Sequence, residues 1–492
     1  MKKRLLFLCI FLDIAAVGLI PVNALLCDMP EYVTIIVSLI AIVSAVLFIE
    51  RNQNRKVAKT IIGILTVIAV VLSVLGSYCN PYWNSITFRS NVNIITKPYT
   101  QLLSSDEAIK DLDNTMKTIR KLHPVFLNGT PEYITRQYEE VKARIEESDY
   151  ISVNDLAGEI ESILSILRDG HTYVRGVYDE KIMKYYRKWA NDGYEITAVN
   201  GIQFNEFFEQ KSSLYSYETP SWGHRLLLDD ILTGAGIDYL GLDLANGIEY
   251  TLISEDGKVR TETCYPDDFI PWTEYYDLYK SYYEDTTEKS FVSYEIDEEN
   301  SIAILRLDEC NYNSEYIDCL RSMFAEIRDK RIENVAVDLR YNGGGSSLVA
   351  DEFFRYLDID SYKVSSIGWR LGFLYLNLGS GTSANKKYDD LLFRGDLYLL
   401  TSTRTFSSAM MFAQYVKDNG LGTIIGEAPG NNPNGYGEVA GFILPNSQLF
   451  MQVSTKRFYR ADKECTDELV YPDIECSSHA AMEELYRVIK EN

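Results

Sequence analysis

The sequence predicts an α/β protein: a core built on a parallel sheet, a helical segment and a β-rich insert before it, and three transmembrane helices in front. Three observations carry this expectation. Strand-like and helix-like runs alternate from about residue 290, which implies parallel strands with helices packed on the sheet. Alternating, turn-punctuated runs fill residues 185–290. Three apolar runs occupy the first 80 residues.

Those runs lie at about 5–26, 32–49 and 60–79. At about 1.5 Å of rise per residue, each can cross a hydrocarbon core about 30 Å thick. Asp13 and Pro21 interrupt the first. Lys2, Lys3 and Arg4 precede the first run, and Arg51, Arg55, Lys56 and Lys59 lie around the second connection. The first connection, "CDMPE", has no Lys or Arg. The positive-inside rule then puts the N-terminus and the second connection in the cytoplasm. A multi-pass anchor in the cell membrane is expected, with about 400 residues on the extracytoplasmic side. A net charge of -23 argues against nucleic-acid partners, because nothing offsets phosphate repulsion.

Residues 81–103 read as a polar linker. A helical segment with one histidine motif follows over 104–184. Ser104 and Glu107 form a capping-box pattern, Thr130 and Pro131 open a second helix, and a third runs to Gly170. Residues 185–290 read as β-rich, with Asn-Gly and Asp-Gly turns in "AVNGIQ" and "SEDGKV". Residues 291–492 are the α/β core, with strands in "SIAILRL", "NVAVDLR", "DLYLLTS" and "GTIIGE" and a late hairpin turning at 445–447. Eight cysteines show no CxxC pair and no metal-ligand spacing; a Cys465–Cys476 pairing stays open.

In open α/β sheets, ligands bind where strands end and helices begin. Two such loops have unusual composition: "DLRYNGGGSS" and "TSTRTFSSAMM". Consecutive glycines let the backbone approach a ligand and point N–H groups at it, as an oxyanion hole or a phosphate cradle requires. No GK[ST] follows, which weakens the phosphate reading. Ser407 and Ser408 stand at a helix N-terminus, where a serine is either a cap or a nucleophile favoured by the helix dipole. A nucleophile needs a base. His123, His171, His224 and His479 are the only histidines, and Lys417, Lys456, Lys463 and Lys490 the only lysines after Ser407.

"LHPVF", "LRDGHTYV", "AVDLRYNGGG", "TFSSAMMFA", "IIGE" and "YPDIE", in that order over residues 104–480, resemble the C-terminal processing (tail-specific) serine peptidases. The tail-specific branch carries a lysine in the loop that here reads "GEAPGNNPNGYG", and this loop has none. "DGHT" is similar to the histidine motif of the tricorn-core-like branch. The resemblance implies a crotonase/ClpP-like parallel-sheet peptidase core with a PDZ-like insert. It implies Ser407 as nucleophile, His171 as general base, and the Gly344 and Ser408 N–H groups as oxyanion hole. It also implies a downstream acid that orients His171, for which Glu464 is favoured over Asp467 and Glu468. The substrate expected is a peptide or unfolded protein, cut through an acyl-enzyme with no metal or organic cofactor. Two rivals stand beside this reading: a catalytically silent peptide- or lipid-binding protein on the same fold, and a membrane sensor.

Overall fold

The computed structural model describes residues 2–491 except 27–31, 53, 88–93, 95, 179–180, 255, 280–289 and 380. The "CDMPE" connection, part of the linker over 81–103 and the end of the insert therefore lie outside the described residues.

Strand–helix alternation after residue 290 builds a six-stranded sheet. Val292–Asp297 pairs antiparallel with Ile302–Leu307. Asn334–Asp338, Asp396–Thr401, Thr423–Gly426 and Ile474–Glu475 follow, each parallel to its neighbour. The period of two along each strand splits the apolar residues between two faces. Leu305, Val335, Val337 and Leu399 meet Leu320, Phe324, Phe353 and Phe412 of three helices on one face. Ile304, Ala336, Leu400 and Ile425 meet Ala481 and Leu485 of the last helix on the other. Both faces are covered, as a parallel sheet requires.

A second sheet stands beside it, in the order Leu374–Leu378, Ser366–Leu371, Phe450–Tyr459, Tyr436–Ile443. Its last pair is the expected late hairpin. A short strand from far upstream, Tyr173–Arg175, pairs with Phe450–Tyr459 through Met451↔Val174 and Gln452↔Tyr173. This pairing joins the helical segment to the core.

In that segment the capping box of Ser104 and Glu107 opens the helix Ser105–Leu122. The next helix, Glu132–Glu146, starts one residue later than expected, with Pro131 and not Thr130 at the cap position. The third, Val153–Leu164, stops before Gly170: a 3-10 turn and Arg168 at φ 49° end it. Residues 169–172 are thereby freed to form a loop.

The insert is less purely β than its turns suggest. Its four-stranded antiparallel sheet joins Ile202–Gln203, Tyr194–Val199, Ile248–Ser254 and Val259–Cys264. Helices Phe204–Lys211, Pro220–Asp230 and Gly234–Tyr239 are threaded between its strands. Phe207, Phe208 and Leu227 of the helices share one core with Tyr250 and Leu252 of the sheet.

At the N-terminus the apolar runs form Lys2–Leu26, Tyr32–Arg51 and Lys56–Cys79. Among the described residues, two helices are long and apolar enough to cross a membrane, Val33–Arg51 and Lys56–Cys79. The expectation of three spans is corrected to two such helices. The first helix carries Asp13, which accepts a hydrogen bond from Thr66, and Pro21.

Candidate active site

The strand Asp396–Thr401 ends at the core's edge, and the chain turns sharply before the helix Ser408–Asn419. Three bonds hold the turn. Thr405 Oγ1 donates to the Leu339 carbonyl at 2.8 Å and accepts from Ser402 N–H at 3.0 Å. Phe406 N–H donates to the Asn342 carbonyl at 3.0 Å. Ser407 then sits at φ 55°, ψ −123°, a conformation L side chains avoid, and makes no side-chain cap bond. Strain of this kind costs on the order of 1–3 kcal/mol and persists only where its surroundings impose it. The serine occupies the cap position without capping, so its hydroxyl is left for other work.

The glycine loop closes on it. A Cβ on Gly344 would lie 2.6 Å from Ser407 Cβ and 3.1 Å from Ser408 N, so only glycine fits there. Gly344 has φ +106° as well. The Gly344 N–H is engaged, however: it donates to Asn342 Oδ1 at 2.9 Å. The Ser408 N–H heads the helix and has no intrahelical acceptor. Of the two expected oxyanion donors, Ser408 is the free one, and Gly344 must exchange its asparagine partner before it can serve. The Ser408 hydroxyl donates to the Gly345 carbonyl at 2.7 Å, which clamps the two loops together.

The lysine-free loop from Gly426 to Gly437 contributes asparagines. Buried Asn431 accepts the Ser407 N–H at 2.8 Å. Asn432 N–H donates to Glu218 Oε2 at 2.6 Å.

His171 reaches the core through the strand pairing. Gln452 Nε2 donates to its carbonyl at 2.9 Å, and Ser454 N–H donates to Thr172 Oγ1 at 3.0 Å. Its ring packs on Phe406, the residue before Ser407, at 4.6 Å between centroids. Trp222 stacks on Phe406 at 4.2 Å. Both imidazole nitrogens are buried without a hydrogen-bond partner.

Asp169 anchors the histidine loop. Its Oδ1 accepts His171 N–H at 2.9 Å, and its Oδ2 accepts Thr172 Oγ1 at 2.6 Å. His123 Nε2 lies 3.1 Å from Oδ2, while His123 Nδ1 accepts Val125 N–H. With Nδ1 accepting, the proton is on Nε2 and His123 donates to Asp169. His123 thus links the end of the first helix of the segment to the histidine motif.

Glu464 is exposed, its N–H bonded to Asp462 Oδ1, and it makes no contact with His171. The carboxylates facing the imidazole are Asp169 Oδ1, at 3.7 Å from Nδ1, and Glu218 Oε1, at 3.9 Å. Glu218 comes from the insert. Ser216 donates to the Asp169 carbonyl at 2.8 Å and Thr219 to the Gly430 carbonyl at 2.8 Å, which pins its loop on both sides. The pattern Thr219-Pro220 is a legible helix start, but nothing local marks the glutamate before it.

Burial by itself would lower the His171 pKa. The two carboxylates outweigh it and push the imidazole up to about 9. Burial raises Glu218, against the attraction of His171. Burial also opposes ionisation of Asp169, but bonds to both histidines hold its carboxyl well below the usual range. Asp169, His171 and Glu218 also form the group of metal-ligating atoms found among the described residues.

Beside the glycine loop lies an open cleft of about 490 Å³, lined by Glu309, Tyr312, Gly344, Gly345 and Leu348 among others.

Residues 301–476 match the model of Peptidase family S41. The chain carries a peptidase domain of this family, of serine type. The match takes in Gly344, Ser407 and Asn431 and begins downstream of His171 and Glu218. Mature CPAF shares the fold at TM-score 0.55 and 11% identity, over 78% of this chain and 97% of that one. Mature CPAF complexed with lactacystin gives 0.55 and 11%, over 79% and 97%. The photosystem II D1 C-terminal processing protease gives 0.44 and 14%, over 78% and 97%. No curated protein matches the chain.

Proposed function

We propose that the chain is a membrane-anchored extracytoplasmic serine endopeptidase with Ser407 as nucleophile and His171 as general base. The observation that carries this is the strained Ser407 at a helix N-terminus, uncapped, one residue from the aromatic ring on which His171 packs. His171 Nε2 takes the Ser407 proton, and Ser407 Oγ attacks the peptide carbonyl. The helix-terminal Ser408 N–H, with Gly344 once released from Asn342, receives the oxyanion. His171 protonates the leaving amine, and water resolves the acyl-enzyme. Glu218 and Asp169 orient the imidazole and stabilise its charge. The cleft at Tyr312 and Leu348 holds a substrate side chain next to the scissile bond.

The anchor reading rests on the two apolar helices and on Arg51, Arg55, Lys56 and Lys59 around their connection. A cytoplasmic basic connection puts everything after Cys79 outside, whether or not the first helix also crosses. The insert, read as PDZ-like, delivers Glu218 to the site as well as a surface for extended peptide.

Wild-type and Ser407→Ala chains incubated with casein, with new N-termini counted by mass spectrometry, test the proposal. Cleavage by the wild type alone supports it. Equal cleavage by both, or none by a folded wild type across a panel of unfolded proteins, refutes it.

A further inference from the structure

His171 Nδ1 faces two carboxylate oxygens at 3.7 and 3.9 Å. Both separations exceed a hydrogen bond. They are close to the spacing of ligands around a small cation. Nitrogen and oxygen ligands about 2.0–2.2 Å from Zn²⁺ in a tetrahedron lie about 3.4 Å apart. The three ligand atoms all fall within 4.8 Å of one another, so closure draws in the two Nδ1–oxygen separations by about 0.3–0.5 Å and the two carboxylate oxygens by at most about 1.4 Å.

Two independent features point the same way. His171 Nδ1 and Glu218 Oε1 are buried without hydrogen-bond partners, on side chains only 10% and 3% exposed. The outward oxygens, in contrast, are engaged: Asp169 Oδ2 by His123 and Thr172, Glu218 Oε2 by Asn432 N–H; Asp169 Oδ1 accepts the His171 N–H and keeps its second lone pair. Ligand groups oriented from behind, with free lone pairs pointing inward, are how metal sites are built. One imidazole with two carboxylates and few ligands suits a transition metal better than Ca²⁺ or Mg²⁺, which take six or more oxygens.

We propose that Asp169, His171 and Glu218 bind one divalent transition-metal ion, best matched by Zn²⁺, and that its occupation switches the peptidase off. The second half rests on His171 being the base. An imidazole that gives its Nδ1 lone pair to a metal carries its proton on Nε2. It then has no lone pair to accept the Ser407 proton, and the metal pins the ring. Removal of the ion restores the base.

The test uses the full chain in detergent, stripped with chelator. Calorimetric titration of ZnCl₂ into the Ser407→Ala chain reads the site without turnover or self-digestion. One saturable site is expected, at least about 10-fold weaker when Glu218→Gln is added, and Mg²⁺ should not compete. On the unaltered chain, Zn²⁺ should protect His171 from diethyl pyrocarbonate, read by mass spectrometry. That measurement decides the matter if the glutamine variant fails to fold. Absence of a one-to-one site, equal binding with Glu218→Gln, or undiminished modification of His171 overturns the site. With the site established, casein cleavage should stop on zinc addition and return with chelator; cleavage by the zinc-loaded chain overturns the switch. A chain inactive even when stripped counts against the peptidase reading and leaves the binding result standing.

Discussion

The two halves of the candidate site are built in different ways. The serine half is local: one strand, one turn and one helix over Asp396–Asn419, with a glycine loop pressed against it. The histidine half is assembled from the 169–172 loop, the 216–219 loop of the insert, the 430–432 loop and the late hairpin. A local half announces itself in sequence and tolerates little change. A distributed half shows only in part: "DGHT" marks His171 while nothing local marks Glu218, and each of its contacts can be tuned separately.

The largest expected effect breaks the serine half. Ser407→Ala should reduce kcat on the order of 10⁴-fold or more, with far-UV circular dichroism unchanged; Ser407→Ala with His171→Ala should lose little more, since the two act as a unit. Additive losses would separate the halves.

The next effect weighs the two glutamates. Glu218→Gln should lower kcat on the order of 10²-fold, and Glu464→Gln should leave it within about two-fold. The reverse ranking in a peptide-cleavage assay would return the orienting role to Glu464.

A pH profile taken with chelator present sharpens the comparison. A base raised to about 9 is mostly charged at neutral pH, so kcat/KM should climb from pH 7 toward pH 9. Glu218→Gln, which removes a raising charge, should move that limb to lower pH. The stability sign is consistent with this. The folded value lies above the usual 6.5, so the ion-pair stabilisation is full below that and fades as pH rises through about 9. A flat rate profile above pH 7 would contradict the charge environment described.

The smallest effect touches the support of the elbow. Asn431→Ala removes the acceptor of the Ser407 N–H and should cost about 1–2 kcal/mol in urea denaturation, with kcat falling more than KM changes. Unaltered kcat would mean that the strained serine holds its place without the asparagine.

What could be read from sequence follows the same division. The alternation of "SIAILRL", "NVAVDLR" and "DLYLLTS" with helices gave the sheet, because burial on both faces imprints a pattern on every strand. Ser407 and Gly344 were legible because a strand-to-helix turn and a glycine run are local events. The insert's Asn-Gly and Asp-Gly turns hide its helices in sequence, although Thr219-Pro220 marks the start of one of them. Glu218 was beyond reach: its meeting with His171 spans 47 positions and depends on how Ser216 and Thr219 pin a loop. Place in the chain favours Glu464, but position along a chain says nothing about whether a carboxylate ends buried or, as here, in solvent.

The pairing of Tyr173–Arg175 with Phe450–Tyr459 has a consequence for timing. The loop of His171 is fastened to Gln452 and Ser454, late in a chain of 492 residues. A growing polypeptide has its histidine motif early and its serine much later, but the histidine has no fixed address until the hairpin arrives. Under the proposed mechanism, a newborn chain therefore has no positioned base, and cuts neither itself nor its neighbours, until residues 450–459 have been made.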